Sequence, residues 1–302
     1  MGGDLLTTAW SFARARGIAV LRANALARQK WLIHGFSLRP GGFSRLGGKR
    51  VLNLGATDWD TTKNVADNRA LFRAALDADK MHLAELQQCH TDILHVVNTP
   101  PKDALRGDAV ITRSPSLLLA VKTADCVPVL LADTKGRAVA AVHAGWRGTL
   151  ARIVQKTLGR MQMEFGTKPE DVVAVLGPAI GRCCYEVGPE VAQAFAAQFD
   201  AAREWFDGPF EKVISDDSPN PLKWLQMTPP GHDPPPPRVY LDLHAANRWQ
   251  LAQAGVPKGN IFASDLCTAC RTDLLFSHRR EQGKTGRMMG VIGIRRPTQG
   301  GR

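Results

Sequence analysis

A thiol and an imidazole at the open end of one apolar hairpin are the residues whose types and spacing most directly suggest chemistry. Val127 to Asp133 is apolar and rich in β-branched residues, Thr134-Lys135-Gly136-Arg137 reads as a turn, and Ala138 to His143 is apolar again. With Lys135 and Gly136 at the centre of the turn, Thr134 pairs with Arg137, Pro128 faces His143 and Cys126 faces Gly145. Side chains two apart along a strand share a face, so Cys126 and His143 become diagonal neighbours about 7–8 Å apart at Cα. A one-residue slip in register would part them. Three readings stay open for the pair. It can ligate a soft-to-borderline metal such as zinc. It can form a nucleophilic couple in which the imidazole lowers the thiol pKa. It can also be a small buried thiol beside a hydrogen-bonded core histidine.

His90 resembles these two in its setting: each ends an apolar strand next to a polar, glycine-containing or turn-like segment. The three are too far apart in sequence for a finger-type site. Three ligands from separate strands suit a catalytic zinc, whose fourth position takes water or substrate and whose bound water titrates near about 7. Asp125, beside Cys126, is placed to accept a proton or orient a ligand, and Arg147 to hold an anionic oxygen. Two histidines and a cysteine also make a blue-copper set. A multicopper cluster needs many more histidines, and this chain has eight, none as His-x-His. Copper is therefore the alternative to zinc and laccase chemistry is disfavoured.

Other motifs weigh less. Cys267 and Cys270 have the spacing of a redox or zinc pair, but no second pair completes a site, so they read as structural or incidental. Adjacent Cys183 and Cys184 read as core. Ser277-His278-Arg279-Arg280 with Arg287 is a basic cluster, either a solvated face or an anion clamp for phosphate.

The elements that must position these residues follow from pattern. Residues 1 to 28 suggest an Arg-rich amphipathic helix, set aside as an N-terminal extension. Trp31 to Ser37 reads as a strand, and Arg39-Pro40-Gly41-Gly42-Phe43-Ser44 as a loop that approaches a ligand or simply turns at the surface. Asp58 to Leu76 is a helix with Asp60, Thr61 and Thr62 as capping candidates, Val65, Leu71, Phe72 and Ala75 inward, and Asn64, Asn68 and Arg69 on its polar side. Two strands within Met81 to Val97 kink at His90-Thr91-Asp92. Strands follow at Asp108 to Thr112 and Leu117 to Lys122. After the hairpin, Thr149 caps a helix to Phe165; Val172 to Gly177 is a strand, Pro189 to Phe199 a helix, His244 to Ala254 a helix, and Arg287 to Ile294 the last strand. Ser218 to Arg238, ending in four prolines, reads as a long exposed loop.

The chain of 302 residues is long enough for a sizeable core, and residues 29–302 read as one domain. No apolar run is long enough to span a bilayer, and Gly17 to Leu21 is too short for a signal-peptide core, so a cytoplasmic location is expected. A net charge of +11 is compatible with nucleic acid or with small anions, but no basic strand interleaved with aromatics appears. The expected partners are small molecules, with no nucleic acid and no membrane, for a monomer or weak homo-oligomer.

Together these segments resemble the YfiH family, which carries polyphenol oxidase or laccase-like labels. The resemblance runs from His34 onward through HGFS (34–37), QCH (88–90), TADCVPVLLAD (123–133), VHAGWRGT (142–149), GPAIGRCCYEVG (177–188), LDLHAANRWQL (241–251), and CTAC with FSHRR and GR (267–287). It implies an α+β fold of stacked mixed sheets flanked by helices, a four-layer sandwich shared with the catalytic domain of cytotoxic necrotizing factors. It implies a zinc site at His90, Cys126 and His143. It also implies a purine nucleoside phosphorylase acting on adenosine, inosine, guanosine or methylthioadenosine with phosphate. Adenosine deamination, and for some bacterial members correction of peptidoglycan precursors, are attributed to the family as well. This chain departs from it at Cys89 and Thr91, where family members often have Val and Gly.

Overall fold

The computed structural model describes residues 9–208 and 238–296. The chain forms two compact units, Met1–Gly181 with Leu243–Arg302, and Arg182–Asp242.

The larger unit is built on two sheets. One has seven strands in the order Trp10–Ala15, Ile18–Ala23, Leu32–Ser37, Met288–Ile294, Leu117–Thr123, His82–Gln87, Leu105–Arg106. The other has six, in the order Ile261–Ala263, Val172–Leu176, Val127–Asp133, Ala138–Ala144, Ala109–Thr112, Leu94–Val96. Continuous apolar runs such as Leu117-Leu118-Leu119-Ala120-Val121 mark strands covered on both faces. Leu117, Leu119 and Val121 join Phe36, Ile292, Leu130, Val139, Ala141 and Val175 in the core between the sheets. Leu118 and Ala120 point the other way, to Leu54, Phe72 and Leu76 beneath the Thr62–Ala75 helix. The Ile153–Phe165 and Leu243–Gln253 helices pack against the six-stranded sheet. The result is the expected α+β arrangement of helix, sheet, sheet and helix. No helix among the described residues is long and apolar enough to cross a membrane.

The central hairpin has the expected register, with Pro128 opposite His143 and Val127 opposite Ala144. Its turn is wider than a two-residue loop: the ladder closes at Asp133 opposite Ala138, and Arg137 takes positive φ. The Thr62–Ala75 helix is capped by Thr61, whose hydroxyl accepts from the Asn64 N–H at 3.1 Å.

Four expectations are corrected. Residues 10–23 are no helix: Arg16 and Gly17 both take positive φ (53° and 79°), and a type I′ turn pairs Trp10–Ala15 with Ile18–Ala23 at the edge of the seven-stranded sheet. The alternation of Trp10, Phe12 and Arg14 was a strand signal obscured by charge. Pro40–Leu46 is a strand rather than a loop, paired with Lys49–Val51 across an irregularity that Gly41 and Gly42, both at positive φ, absorb. The helix expected from Thr149 is two helices, Trp146–Leu150 and Ile153–Phe165, broken at left-handed Arg152. Asn68 is fully buried rather than solvated; it accepts from the Phe43 N–H and donates to Ser44 and to the Asn53 carbonyl. Residues 1–8 and the Pro-rich stretch up to Pro237 lie outside the described residues.

His34 supplies a pH-dependent element of this fold. Its Nε2 accepts from the Ala23 N–H at 3.1 Å, so the neutral ring carries its proton on Nδ1. Burial, with Arg22 nearby, lowers its pKa to about 3. The unfolded chain holds this proton below about pH 6.5 and the folded chain only near 3, so the stability is complete above 6.5 and lost as pH falls. The expected loss is on the order of 4 kcal/mol by pH 3. Urea midpoints measured from pH 7 to 4 should fall in the native protein and vary less in His34→Gln; equal slopes would refute the assignment.

In the smaller unit, Val239–Leu241 runs between Glu186–Val187 and Phe206–Asp207, antiparallel to both. Pro189 opens the Pro189–Gln198 helix, whose Phe195 packs against Phe199, Trp205 and Phe206.

Candidate metal centre

The segment that carries His90 passes from one sheet to the other. His82–Gln87 belongs to the seven-stranded sheet and Leu94–Val96 to the six-stranded one. Gln88 prolongs the first with its side chain: its amide donates to the Lys122 carbonyl at 2.7 Å and accepts from the Lys122 N–H at 2.8 Å. His90 then turns the chain with a left-handed φ of 59°. Such a backbone costs on the order of 1–3 kcal/mol and persists where the surroundings enforce it.

The enforcing group is Asp108, a fully buried acid that the sequence reading did not single out. Oδ1 accepts from the His90 N–H (3.1 Å) and from His143 Nδ1 (2.8 Å). Oδ2 accepts from the N–H groups of Cys89 (3.2 Å) and Thr91 (2.7 Å) and from the Thr91 hydroxyl (2.9 Å). These bonds outweigh the penalty of burial and hold the Asp108 carboxyl well below the usual carboxylate range. One carboxylate thus shapes the His90 turn and sets the His143 ring, leaving Nε2 of His143 for the site. Thr91 adds a hydroxyl to that grip. The only sequence signal for Asp108 was an acid at the head of an apolar strand, which is too common to act on.

The hairpin delivers the other two residues. His143 is buried, Cys126 half-buried and His90 exposed, and the ligand atoms of all three lie within 4.8 Å of one another. The His90 and His143 rings meet edge to face at 5.0 Å. Burial disfavours the Cys126 thiolate, but the charge and hydrogen bonds of His143 and His90 prevail and bring its pKa down to about 6. Burial also disfavours a charged His143, but the Cys126 thiolate and Asp108 lift it to about 9. A soft sulfur and two imidazole nitrogens converging on one point fit a zinc or copper ion.

Asp125 and Arg147 are placed differently. Asp125 has φ 101°, and its carboxylate faces the C-terminal segment: Oδ1 accepts from the Thr268 hydroxyl at 2.6 Å and Oδ2 from the Arg279 N–H at 2.7 Å. It ties that segment to the start of the hairpin. Arg147 is exposed, its guanidinium over the neighbouring Trp146 ring at 4.5 Å. Cys267 is buried and its sulfur accepts from the Gly181 N–H, whereas Cys183 is exposed and Cys184 half-buried, so the adjacent pair is not core.

Gly145 limits the room at the centre. A Cβ there would sit 3.0 Å from Cys126 Sγ and 3.3 Å from a His90 ring carbon, although its backbone suits alanine. Gly145→Ala should therefore weaken metal affinity by roughly 10-fold with little change in the urea midpoint. Zinc competition against a chromophoric chelator checks this, and unchanged affinity would refute it.

Fold and centre together define a stacked-sheet α+β protein with a His–Cys–His candidate metal site. Residues 33–295 match the family described as multi-copper polyphenol oxidoreductase laccase, and the chain belongs to this family, the YfiH family of the sequence resemblance. It is 39% identical over 282 residues to a purine nucleoside phosphorylase of Deinococcus radiodurans, covering 93% of this chain and 95% of that one. It is 34% identical to the purine nucleoside phosphorylase YfiH of Shigella flexneri, covering 82% and 90%. The crystal structure of the Bacillus licheniformis hypothetical protein YfiH superposes with a TM-score of 0.76 at 31% identity, covering 91% and 96%.

Proposed function

We propose that this chain is a zinc-dependent purine nucleoside phosphorylase that uses phosphate to release the base from adenosine, inosine, guanosine or methylthioadenosine. Adenosine deamination is a further reaction of the same site. The observation that carries the reading is the convergence of His90, Cys126 and His143 within 4.8 Å, in a chain closely similar to proteins bearing that name.

His90, Cys126 and His143 would hold the ion, and Asp108 fixes the tautomer that leaves His143 Nε2 free to ligate. Bound zinc would supply Lewis acidity toward an oxygen nucleophile, phosphate or water. Burial of His143 excludes water from one side of the centre, while exposed His90 leaves the other open to substrate. Phosphorolysis builds positive charge on the sugar, which an anion held opposite the departing base stabilises. Asp125 is assigned the ordering of the site's C-terminal wall and Arg147 an outer contact to anionic oxygen.

The test is the metal content of the purified protein, with inosine and adenosine turnover followed with and without phosphate. Stoichiometric zinc and phosphate-dependent base release support the reading. Zinc with deamination alone refutes the phosphorolysis and retains the site.

A second reading rests on a specific observation, the alignment of Cys126, His143 and Asp108, with His143 Nδ1 2.8 Å from Asp108 Oδ1 and its ring beside the thiol. In metal-free protein Cys126 and His143 form a thiolate and an imidazolium backed by Asp108, a hydrolytic triad in outline suited to an amide such as a peptidoglycan precursor. Turnover that survives chelation and is lost on alkylating Cys126 would favour it. A thiolate–copper colour without nucleoside products would favour a copper-handling or redox-sensing protein instead, and a copper-binding polyphenol oxidase only if a phenol were also oxidised.

A further inference from the structure

Arg287 stands at the mouth of the last strand, where Met288 pairs with Thr123, and so lies alongside the Ala124-Asp125-Cys126 segment. Its backbone is fixed on both sides: the N–H donates to Asn53 Oδ1 at 2.9 Å and the carbonyl accepts from the Leu54 N–H at 3.0 Å. Asn53 is itself fully buried and donates to Asp60, which also receives Ser44 and Asn64. The aliphatic stem crosses Gly55 so closely that a Cβ there would lie 2.6 Å from Arg287 Cγ. An elaborate buried polar framework therefore ends on one arginine.

The guanidinium has little to satisfy it. It is half-buried, and among the described residues its one side-chain hydrogen bond goes to the carbonyl of neighbouring Gly286 at 3.1 Å and no carboxylate lies within ion-pair distance. Burial lowers its pKa, and the charges acting against that are Asp125 and Cys126. Asp125 has already committed both oxygens to Thr268 and Arg279. A desolvated cation with open donors is costly unless an anion completes it. The planar fork matches a tetrahedral oxyanion. Of the basic residues in the C-terminal cluster, His278, Arg279 and Arg280 are exposed, which leaves Arg287 as the one built into the site.

We propose that Arg287 binds inorganic phosphate at this centre. The proposal rests on the phosphorolysis reading and singles out Arg287 from the basic cluster that the sequence offers as an anion clamp for phosphate, with Arg147 kept as an outer contact.

The test is calorimetric titration of zinc-loaded protein with inorganic phosphate, paired with KM for phosphate and for inosine. Arg287→Met keeps the stem over Gly55 and the backbone bond to Asn53; Arg287→Lys keeps the charge and loses the fork. Arg296→Gln, an exposed arginine beyond the opposite end of the same strand, sets the baseline for lost charge. Phosphate affinity should fall at least ~10-fold in Arg287→Met and several-fold in Arg287→Lys, with KM for inosine little changed and Arg296→Gln like the native protein. Native affinity in either Arg287 variant, or no phosphate binding by the native protein, overturns the proposal. Base release that proceeds equally without phosphate overturns the phosphorolysis reading alone, because the titration still reports on Arg287.

Discussion

Cys126→Ala should lose its metal and at least ~10³-fold of nucleoside turnover, about 4 kcal/mol of barrier. The thiolate is the one soft, charged donor of the trio, and the two imidazoles left behind make a weak, neutral pair. The fold should survive, because Cys126 is half-buried at a strand end and alanine fits the same backbone. His143 also loses the thiolate that, against burial, raises its pKa, leaving Asp108 alone to do so. Metal content, urea midpoint and base release measured on one preparation separate these effects. A variant that keeps both zinc and turnover would remove the metal reading. One that loses turnover where the native protein carries no metal would leave Cys126 as a nucleophile.

Asp108→Asn should be the most damaging change outside the ligands, although it is isosteric. Oδ1 serves the His90 N–H and His143 Nδ1, and Oδ2 serves Cys89, Thr91 and the Thr91 hydroxyl. Whichever side the new amide NH2 occupies, it meets at least two donors that have lost their acceptor. Each such buried donor costs roughly 1–3 kcal/mol, so a loss of about 3–5 kcal/mol in stability is expected. If the NH2 faces His143, the ring must carry its proton on Nε2, which is the nitrogen turned to the candidate metal site. Zinc affinity and turnover should then fall about 10–100-fold. Denaturant titration gives the first effect and zinc competition the second. Native values for both would show that Asp108 does not organise the centre.

The largest part of the site was legible because it is local. The Val127–Asp133 and Ala138–Ala144 strands are joined by a short turn, so the position of Pro128 opposite His143 follows from the apolar pattern and the turn residues alone. Placing Cys126 beside His143 needed no knowledge of the rest of the fold. His90 was legible as a residue at a strand end, and the Thr61 cap as a residue type before a helix. The type I′ turn at Arg16-Gly17 was equally local, but Arg14 and Arg22 interrupt the apolar alternation of the strands that flank it, so the period is blurred.

What the sequence could not determine is which strand lies beside which when they are distant along the chain. His90 meets Cys126 only because its segment leaves one sheet for the other, and Asp108 meets His143 only because Ala109–Thr112 pairs with Ala138–Ala144. Arg287 lies alongside the Ala124-Asp125-Cys126 segment because the last strand pairs with Leu117–Thr123. These contacts are set by burial of both sheet faces against each other and against helices, a collective choice that no single stretch encodes. Sequence alone therefore determined the hairpin and its two candidate ligands. Tertiary structure decided that Asp108 would aim one of them, that Asp125 would be spent on Thr268 and Arg279, and that half-buried Arg287 would lie beside the segment that carries Cys126.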